Sequence, residues 1–339
     1  MLENIESLLP VAPRGEKLQV LILGFEEESV QEMKRLLATL DVEVPATIIA
    51  RVRKINPGTY VGVGKLEEVK AEVERLQASA IIVDRDLSPN QLRNVEKVLG
   101  KAVVDRPGVI IEIFSRHARS RESKSQVELA KLQYLLPRLR HFWTHFERQR
   151  GGIGQKGMGE TQIEVDRRLV KDRMSTLRKR LKEIEGERNT QRAGRKDVLK
   201  VAIVGYTNSG KSTLLNALTH SKVLAEDKLF ATLDSSVRTL DPHAHPPIVA
   251  IDTVGFISNL PTSLIASFRS TLEEVHEADL LLHVVDASSP GARDQIRVTE
   301  EVIAELKANE KPRMVVLNKV DLVPAGPARL ALKVLCPGA

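Results

Sequence analysis

The residues GYTNSGKST, which begin at Gly205, have the composition and spacing of a phosphate-binding loop. They match GxxxxGK[ST], follow a strongly apolar run and precede an amphipathic stretch, which is the context that such loops need. Glycines let backbone N–H groups turn toward phosphates, and the N terminus of the next helix favours negative charge. We expect Lys211 to reach the β- and γ-phosphate oxygens and the Ser212 hydroxyl to bind Mg²⁺. The predicted nucleotide-binding residues here are Gly205, Tyr206, Thr207, Asn208, Ser209, Gly210, Lys211, Ser212 and Thr213.

A DxxG motif lies downstream and consists of Asp252, Thr253, Val254 and Gly255. It follows the apolar run 248–251, whose pattern predicts a buried strand. A carboxylate at the end of that strand could hold Mg²⁺ through a water molecule, and the Gly255 N–H could meet a γ-phosphate. DxxG alone is a weak signal, so its weight comes from its position behind the phosphate-binding loop.

A third motif indicates which base is bound. Asn318, Lys319, Val320 and Asp321 follow the apolar run 314–317. The Asp321 carboxylate could accept hydrogen bonds from both N1–H and N2–H₂ of guanine, and adenine offers no such pair of donors. The predicted ligands are therefore GTP and GDP, with Mg²⁺.

A conditional metal ligand is predicted between the loop and the DxxG motif. Thr232 is placed to bind Mg²⁺ only while a γ-phosphate is present, which makes it a candidate switch residue. The segment expected to contact the nucleotide is Phe230, Ala231, Thr232, Leu233 and Asp234. Across all four motifs, the candidate catalytic residues are Lys211, Thr232 and Gly255, and the candidate metal ligands are Ser212, Thr232 and Asp252.

The residue after Gly255 bears on the rate of hydrolysis. Many GTPases place a glutamine there to orient the attacking water, whereas this chain has Phe256. A phenyl ring cannot orient water, so we expect hydrolysis by the chain alone to be slow. A simple packing role for Phe256 is compatible with the same expectation.

Composition favours a cytoplasmic enzyme. The 339 residues include one cysteine, Cys336, so no disulfide can form within the chain. The acidic start, MLENIE, lacks the basic and then apolar layout of a signal peptide, and no apolar run approaches the ~20 residues of a membrane span. We therefore expect a cytoplasmic protein without a transmembrane segment.

Basic charge is concentrated in the middle of the chain. Residues 115–197 contain 22 Lys and Arg against 11 Asp and Glu, a net charge of +11, whereas the whole chain carries +6. Such a segment suits a nucleic-acid phosphate backbone, although a solvated helical face is the alternative. Aromatic residues among the arginines of 116–150 could stack on RNA bases or could anchor helix packing.

The order of predicted elements indicates an α/β fold in three parts. Residues 1–114 alternate apolar runs with helical patterns, which predicts a mainly parallel sheet. Residues 115–192 are predicted to form an antiparallel helical hairpin, because leucines recur at helical spacing over 116–136 and a heptad seam includes Ile163, Val170, Met174, Leu177, Leu181 and Ile184. Residues 193–339 contain the nucleotide motifs and are predicted to form a P-loop GTPase domain.

Two glycine-rich stretches have open interpretations. Residues 151–159, GGIGQKGMG, could be a flexible connector, a second phosphate cradle, or a hairpin tip that becomes ordered on RNA. Residues 62–65, GVGK, could be part of a phosphate loop, but at a helix start they are more often a turn and a cap. A second nucleotide in the N-terminal domain stays an open question.

The strings GYTNSGKST, FATLD, DTVGF and NKVD, in this order, resemble the HflX family of translation-factor-related GTPases. The resemblance extends upstream to VGVGK at 61–65, DRPG at 105–108, QVELAKLQY at 126–134, RGGIG at 150–154 and GETQ at 159–162. It therefore covers nearly the whole chain. It implies binding to the ribosome, mainly to the 50S subunit and its rRNA. We expect a monomer with no DNA partner.

The same resemblance implies dissociation or rescue of ribosomes under stress, with hydrolysis stimulated by the ribosome. A large-subunit assembly GTPase and a non-hydrolysing RNA- or ribosome-binding module are the alternatives. The family pattern also implies one more strand, a short Ser-Ala loop and a closing helix after the NKVD motif, and the chain reaches Ala339 without them. We therefore expect weakened guanine affinity and an exposed sheet edge.

Overall fold

The computed structural model describes residues 7–10, 16–139, 158–193, 198–219, 229–230, 233–234, 236–241, 243–258, 274–336 and 339. The chain packs as two compact units. The first unit combines Met1–Arg116 with Val127–Arg180, and the second combines His117–Gln126 with Leu181–Ala339. The division into three domains stays a prediction.

The first unit contains a four-stranded parallel sheet in the order β2-β1-β3-β4. Strands and helices alternate as the sequence pattern predicts. Apolar residues cover both faces of the sheet, and all four residues of β3 are buried. The elements are β1 (Gln19–Gly24), α1 (Glu27–Thr39), β2 (Glu43–Ile49), α2 (Val63–Leu76), β3 (Ala80–Val83), α3 (Pro89–Leu99), β4 (Ala102–Asp105) and α4 (Arg106–His117).

Local sequence explains where the helices of this unit begin. Ser88 caps α3 in a capping box with Gln91, and Pro89 occupies the first turn, where its missing N–H costs nothing. The GVGK stretch has the turn-and-cap structure, since Gly62 is the N-cap of α2. Helix α4 is not predicted by apolar periodicity, because its residues from Arg106 to Phe114 are all buried and no polar face remains.

A buried carboxylate connects β4 to the helices that follow. One oxygen of Asp105 accepts hydrogen bonds from the Tyr134 hydroxyl at 2.8 Å and the Gly108 N–H at 3.1 Å. The other accepts from the Arg138 guanidinium at 3.1 Å, which also lies over the Tyr134 ring. Burial raises the pKa of Asp105, while Arg138 and Tyr134 oppose that rise. The ion pair is fully desolvated, so its loss would be costly.

Two long helices follow, α5 (Arg121–Leu135) and α6 (Met158–Ala193). Along α6, Val170, Met174 and Leu177 are buried, as the predicted heptad seam requires. Glu128 on α5 accepts two hydrogen bonds from Arg173 on α6, at 2.6 and 2.9 Å. Residues 151–157 of the glycine-rich stretch and the aromatic cluster beyond residue 139 lie outside the described residues.

The second unit contains a five-stranded sheet in the order β6-β7-β5-β8-β9, with β6 antiparallel to β7 and the other pairs parallel. This arrangement brings the ends of β5, β7, β8 and β9 to one edge of the sheet. Within the described residues β9 pairs only with β8, and Met314 on it is 54% exposed. The elements are β5 (Leu199–Val204), α7 (Lys211–Thr219), β6 (Ser236–Asp241), β7 (Ile248–Asp252), β8 (Leu280–Asp286), α8 (Ala292–Glu305), β9 (Arg313–Asn318) and α9 (Pro327–Leu335).

Candidate nucleotide-binding site

The GYTNSGKST segment forms a tight loop between β5 and α7, as predicted. Gly205 and Gly210 have φ angles of +150° and +93°, which L side chains rarely adopt. A side chain would also collide with neighbours. A Cβ at Gly205 would lie 2.3 Å from the Val284 carbonyl oxygen, and one at Gly210 would lie 2.1 Å from the Asn318 amide nitrogen. Glycine is therefore required at both positions, and the loop packs directly on β8 and β9.

The Lys211 side chain lies inside the loop and is 6% exposed. Its Nζ donates hydrogen bonds to the carbonyl oxygens of Gly205 at 3.2 Å and Tyr206 at 2.8 Å. Burial lowers the pKa of Lys211 from 10.5 to about 8, and Asp252 partly opposes that shift. A phosphate beside the ammonium group would also favour the charged form. Lys211 is therefore placed to bind an anion within the loop.

Ser212 and Asp252 form the predicted metal pair. The Ser212 hydroxyl donates a hydrogen bond to one Asp252 oxygen at 2.7 Å. Asp252 ends β7 and is fully buried, and Ser212 lies in the first turn of α7. A hydroxyl and a carboxylate together at a helix N terminus are the ligands that a nucleotide-bound Mg²⁺ uses. Both residues therefore fit the ion. Thr213, in the same turn, is exposed.

Gly255 lies against the phosphate-binding loop. A Cβ at Gly255 would be 2.7 Å from the Thr207 Cα and 3.0 Å from the Lys211 Nζ. Behind it, the Thr253 hydroxyl donates to the Ile203 carbonyl at 2.7 Å, which fixes the exit from β7. Val254 is buried, and the Phe256 side chain is also buried, at 2% exposure. Phe256 therefore packs in the core and offers no polar group to water.

The NKVD motif is hydrogen-bonded to the phosphate-binding loop. The Asn318 amide donates to the Ser209 carbonyl at 2.8 Å, and the Lys319 Nζ donates to the Asn208 carbonyl at 2.9 Å. Asp321 lies in the short 3₁₀ turn Val320–Leu322 and is exposed. Its carboxylate is therefore accessible to a base that lies beside Lys319.

Sequence reasoning missed Asp286, which orients Lys319. Asp286 ends β8 and accepts a hydrogen bond from the Lys319 Nζ at 2.8 Å. Its other oxygen accepts from the Ser288 N–H and hydroxyl, at 2.9 and 2.6 Å. Partial burial acts to raise the pKa of Asp286, but the bonds from Lys319 and Ser288 lower it overall. A carboxylate directly after an apolar run was the available signal.

The predicted switch segment, 230–234, is only partly described. The Phe230 N–H donates to the Thr207 hydroxyl at 2.9 Å, and the side chains of Phe230 and Leu233 are both buried. Ala231 and Thr232 lie outside the described residues, so the metal-binding role of Thr232 stays a prediction.

Asp234 contacts the N terminus of α5 instead of the phosphate-binding loop. One of its oxygens accepts from the N–H groups of Arg119 and Ser120, at 3.1 and 3.2 Å. The other accepts from the Ser120 hydroxyl at 2.6 Å. Partial burial acts to raise the pKa of Asp234, but the bonds from Ser120, Ser123 and the backbone lower it overall. A nucleotide-binding role for Asp234 stays a prediction.

Three family models match consecutive parts of the chain. They are described as GTP-binding GTPase N-terminal over residues 27–115, GTP-binding GTPase Middle Region over 117–195, and 50S ribosome-binding GTPase over 200–319. A protein named GTPase HflX from Caldanaerobacter subterraneus is 48% identical over 306 residues, which cover 89% of this chain and 72% of that protein. The chain belongs to the HflX family of GTPases. The HflX relative from Escherichia coli K12 is 44% identical over 298 residues, which cover 87% of this chain and 70% of that protein.

HflX membership confirms the family resemblance and makes this chain a GTP-hydrolysing enzyme. The α/β fold with a P-loop GTPase domain is also confirmed. A crystal structure described as a complex of SsGBP and GDP is 27% identical to this chain and has a TM-score of 0.53. The match covers 94% of this chain and 87% of that one. As a GTP-hydrolysing enzyme, the chain takes GTP as its substrate and forms GDP as its product. Among the described residues, no helix is both long enough and apolar enough to cross a membrane.

Proposed function

We propose that this chain is a GTP-driven ribosome factor that binds mainly the 50S subunit through its rRNA and dissociates or rescues ribosomes under stress. The observation that carries the proposal is the connected site itself, in which the NKVD motif, the phosphate-binding loop and Asp252 are joined by hydrogen bonds. The match of residues 200–319 to a 50S ribosome-binding GTPase model supports the choice of partner. A ribosomal partner implies a cytoplasmic location, and the chain is proposed to act as a monomer without DNA.

Each part of the site has one task in this proposal. Asp321 reads guanine, while Lys211 and the N terminus of α7 hold the phosphates. Ser212 and, through water, Asp252 would hold Mg²⁺, and the bound ion would supply positive charge to the β- and γ-phosphate oxygens. Thr232 and the Gly255 N–H respond to the γ-phosphate, so their positions report whether GTP or GDP is bound.

Among the described residues of the site, none is placed to orient the attacking water, since the buried Phe256 occupies that position in the sequence. Enzymes of this class gain about 10³–10⁵ in rate when a partner supplies the missing group. Because Phe256 stands where many GTPases have glutamine, we expect slow hydrolysis by the chain alone and faster hydrolysis when the ribosome supplies the missing group. This is the chemical reason to expect the partner to stimulate the reaction.

The surface of α6 supports RNA as the partner. Arg168, Lys171, Arg178 and Lys182 are all exposed and recur at spacings of three, seven and four residues. At 3.6 residues per turn these spacings place them on one stripe of the helix, apart from its buried seam. Cations in a row suit a phosphate backbone and make the affinity depend on salt.

The test is single-turnover and steady-state GTP hydrolysis with no ribosome, with 50S subunits and with 70S ribosomes. Lys211→Ala is the control that should abolish stimulated hydrolysis. Subunit dissociation is followed in the same samples by sucrose-gradient sedimentation. Binding without hydrolysis or dissociation would favour a binding module, and no binding at all would refute the proposal.

The α6 stripe has its own test. Reversing Arg168, Lys171 and Arg178 to Glu should weaken 50S binding and flatten its dependence on salt concentration. A single reversal, Arg297→Glu, changes an exposed arginine on α8 that already pairs with Asp294 and Glu301. If Arg297→Glu weakened 50S binding as much as the triple reversal on α6, the stripe would be only a solvated face.

A further inference from the structure

We infer that Tyr206 is a positioning residue for hydrolysis, because its hydroxyl is hydrogen-bonded to Ser258 and thereby holds Gly255 against the phosphate-binding loop. The inference rests on GTP hydrolysis, which HflX membership supplies, and not on ribosome binding. Tyr206 would then contribute more to the reaction than a place in the loop backbone.

The first observation is that the segment after Asp252 runs alongside the loop. The Phe256 N–H donates to the Gly205 carbonyl at 3.1 Å, and the Thr207 N–H donates to the Phe256 carbonyl at 2.7 Å. These two bonds make a parallel bridge between Tyr206 and Phe256. Within residues 252–258, the backbone of Phe256 is therefore paired with the phosphate-binding loop at Tyr206.

The second observation is that a side chain extends this pairing by two residues. The Tyr206 hydroxyl lies 2.6 Å from the Ser258 Oγ and accepts a hydrogen bond from the Ser258 N–H at 2.8 Å. Tyr206 is only 6% exposed, so water competes little for these bonds. A phenylalanine at this position would keep the ring and lose both contacts.

The segment is thus fixed on both sides of Gly255. On one side, Asp252 bonds to Ser212 and Thr253 bonds to the Ile203 carbonyl. On the other side, the bridge and the Tyr206 hydroxyl hold residues 256–258. Gly255 lies between them and close to the Lys211 ammonium group. Donors that are positioned before the reaction stabilise developing charge without reorganisation, which is why this fixing should matter to the rate.

The experiment is single-turnover GTP hydrolysis by the full chain with Mg²⁺, comparing wild type, Tyr206→Phe, Ser258→Ala and the double variant. For Tyr206→Phe we expect the hydrolysis rate constant to fall about three- to tenfold, because two partly buried hydrogen bonds are lost, with GTP and GDP affinities within about twofold of wild type. Ser258→Ala keeps the backbone hydrogen bond, so the logarithm of its hydrolysis rate constant should fall about half as much as that of Tyr206→Phe. The double variant should match Tyr206→Phe alone, because the hydroxyl acts through Ser258.

A matched control and a structural readout complete the test. Tyr60→Phe makes the same chemical change in the other unit, where the Tyr60 ring packs edge-on against Phe25, and should leave hydrolysis unchanged. Amide hydrogen exchange should accelerate in residues 252–258 of Tyr206→Phe and not in β5. An unchanged or faster hydrolysis rate in Tyr206→Phe would overturn the inference. So would a parallel loss of GDP affinity, or additive losses in the double variant.

Discussion

The contact between Asp234 and the start of α5 predicts that replacing one carboxylate in the switch segment will loosen a helix more than one hundred residues earlier in the chain. Asp234 accepts hydrogen bonds from three donors directly before α5: the N–H groups of Arg119 and Ser120 and the Ser120 hydroxyl, which belongs to the residue that caps the helix. In Asp234→Ala all three lose their acceptor. The first turn of α5 should then open more often.

The magnitude follows from the geometry. Loss of a hydrogen-bond acceptor costs about 0.5–1.5 kcal/mol, and loss of a negative charge near a helix N terminus costs about 0.3–1 kcal/mol. Because Asp234 is half-buried, solvent screening reduces the charge contribution. We expect Asp234→Ala to lower the free energy of opening by about 2 kcal/mol and Asp234→Asn, which keeps an oxygen acceptor, by about 1 kcal/mol.

Hydrogen exchange at the amides of residues 119–123 measures this opening directly. A chain of two units is not a safe two-state system for global unfolding, so the local measurement is preferred. The pKa of Asp234 is lowered in the folded protein, so its contribution should be complete at neutral pH and disappear as the pH falls through that lowered value, below the usual 3.8. The difference between wild type and Asp234→Ala should shrink there. A change under about 0.5 kcal/mol at pH 7 would refute the reasoning, since it would lie within the range of ordinary surface substitutions.

Three other predictions concern buried charge and base recognition. Arg138→Met should lower the free energy of opening of the first unit by about 3–5 kcal/mol, because it leaves the buried Asp105 without its charged partner, whereas Arg173→Met breaks an exposed pair and should cost less than about 1 kcal/mol, both measured by hydrogen exchange at the amides of β3 and β4. Burial, with Arg313 and Lys211 nearby, lowers the pKa of His283 to about 4 from 6.5. The free energy of unfolding of wild type should therefore fall by up to about 3 kcal/mol relative to that of His283→Gln as the pH falls from 6.5 toward 4, because the unfolded state takes up the proton first. If the melting temperatures of the two proteins changed equally with pH, this prediction would be contradicted. Asp321→Asn should weaken GDP binding at least about tenfold and improve binding of xanthosine diphosphate, measured by calorimetry.

The sequence predicts best those features that depend on neighbouring residues. The β strands of the first unit and the loop from Gly205 to Ser212 follow from local apolar runs and glycine spacing, and the structure has them as predicted. The seam of α6 is confirmed at Val170, Met174 and Leu177, while Leu181 and Ile184 are half-buried. Periodicity predicts these features because one face of each element is covered and the other is not.

Features that join distant segments were not predictable in this way. Residues 106–114 of helix α4 have no exposed face to produce a period. The bonds between Asp234 and Ser120, and between Tyr206 and Ser258, join residues separated by 114 and 52 positions. Nothing in the local pattern of either partner signals the other. A motif shows which residues share a site, but the tertiary fold decides which of them hold one another.

The attachment of Asn318 and Lys319 to the carbonyls of the phosphate-binding loop has a consequence for how the ligand is discriminated. The surfaces for base and phosphate are one hydrogen-bonded piece of protein, so the free energies with which ligand fragments bind cannot be independent. Guanosine and pyrophosphate, offered separately, should bind far more weakly than the sum of their contributions within GDP, because each alone must order the whole piece. Selectivity for the base and affinity for the phosphate chain are therefore coupled quantities, and a substitution that retunes one will shift the other.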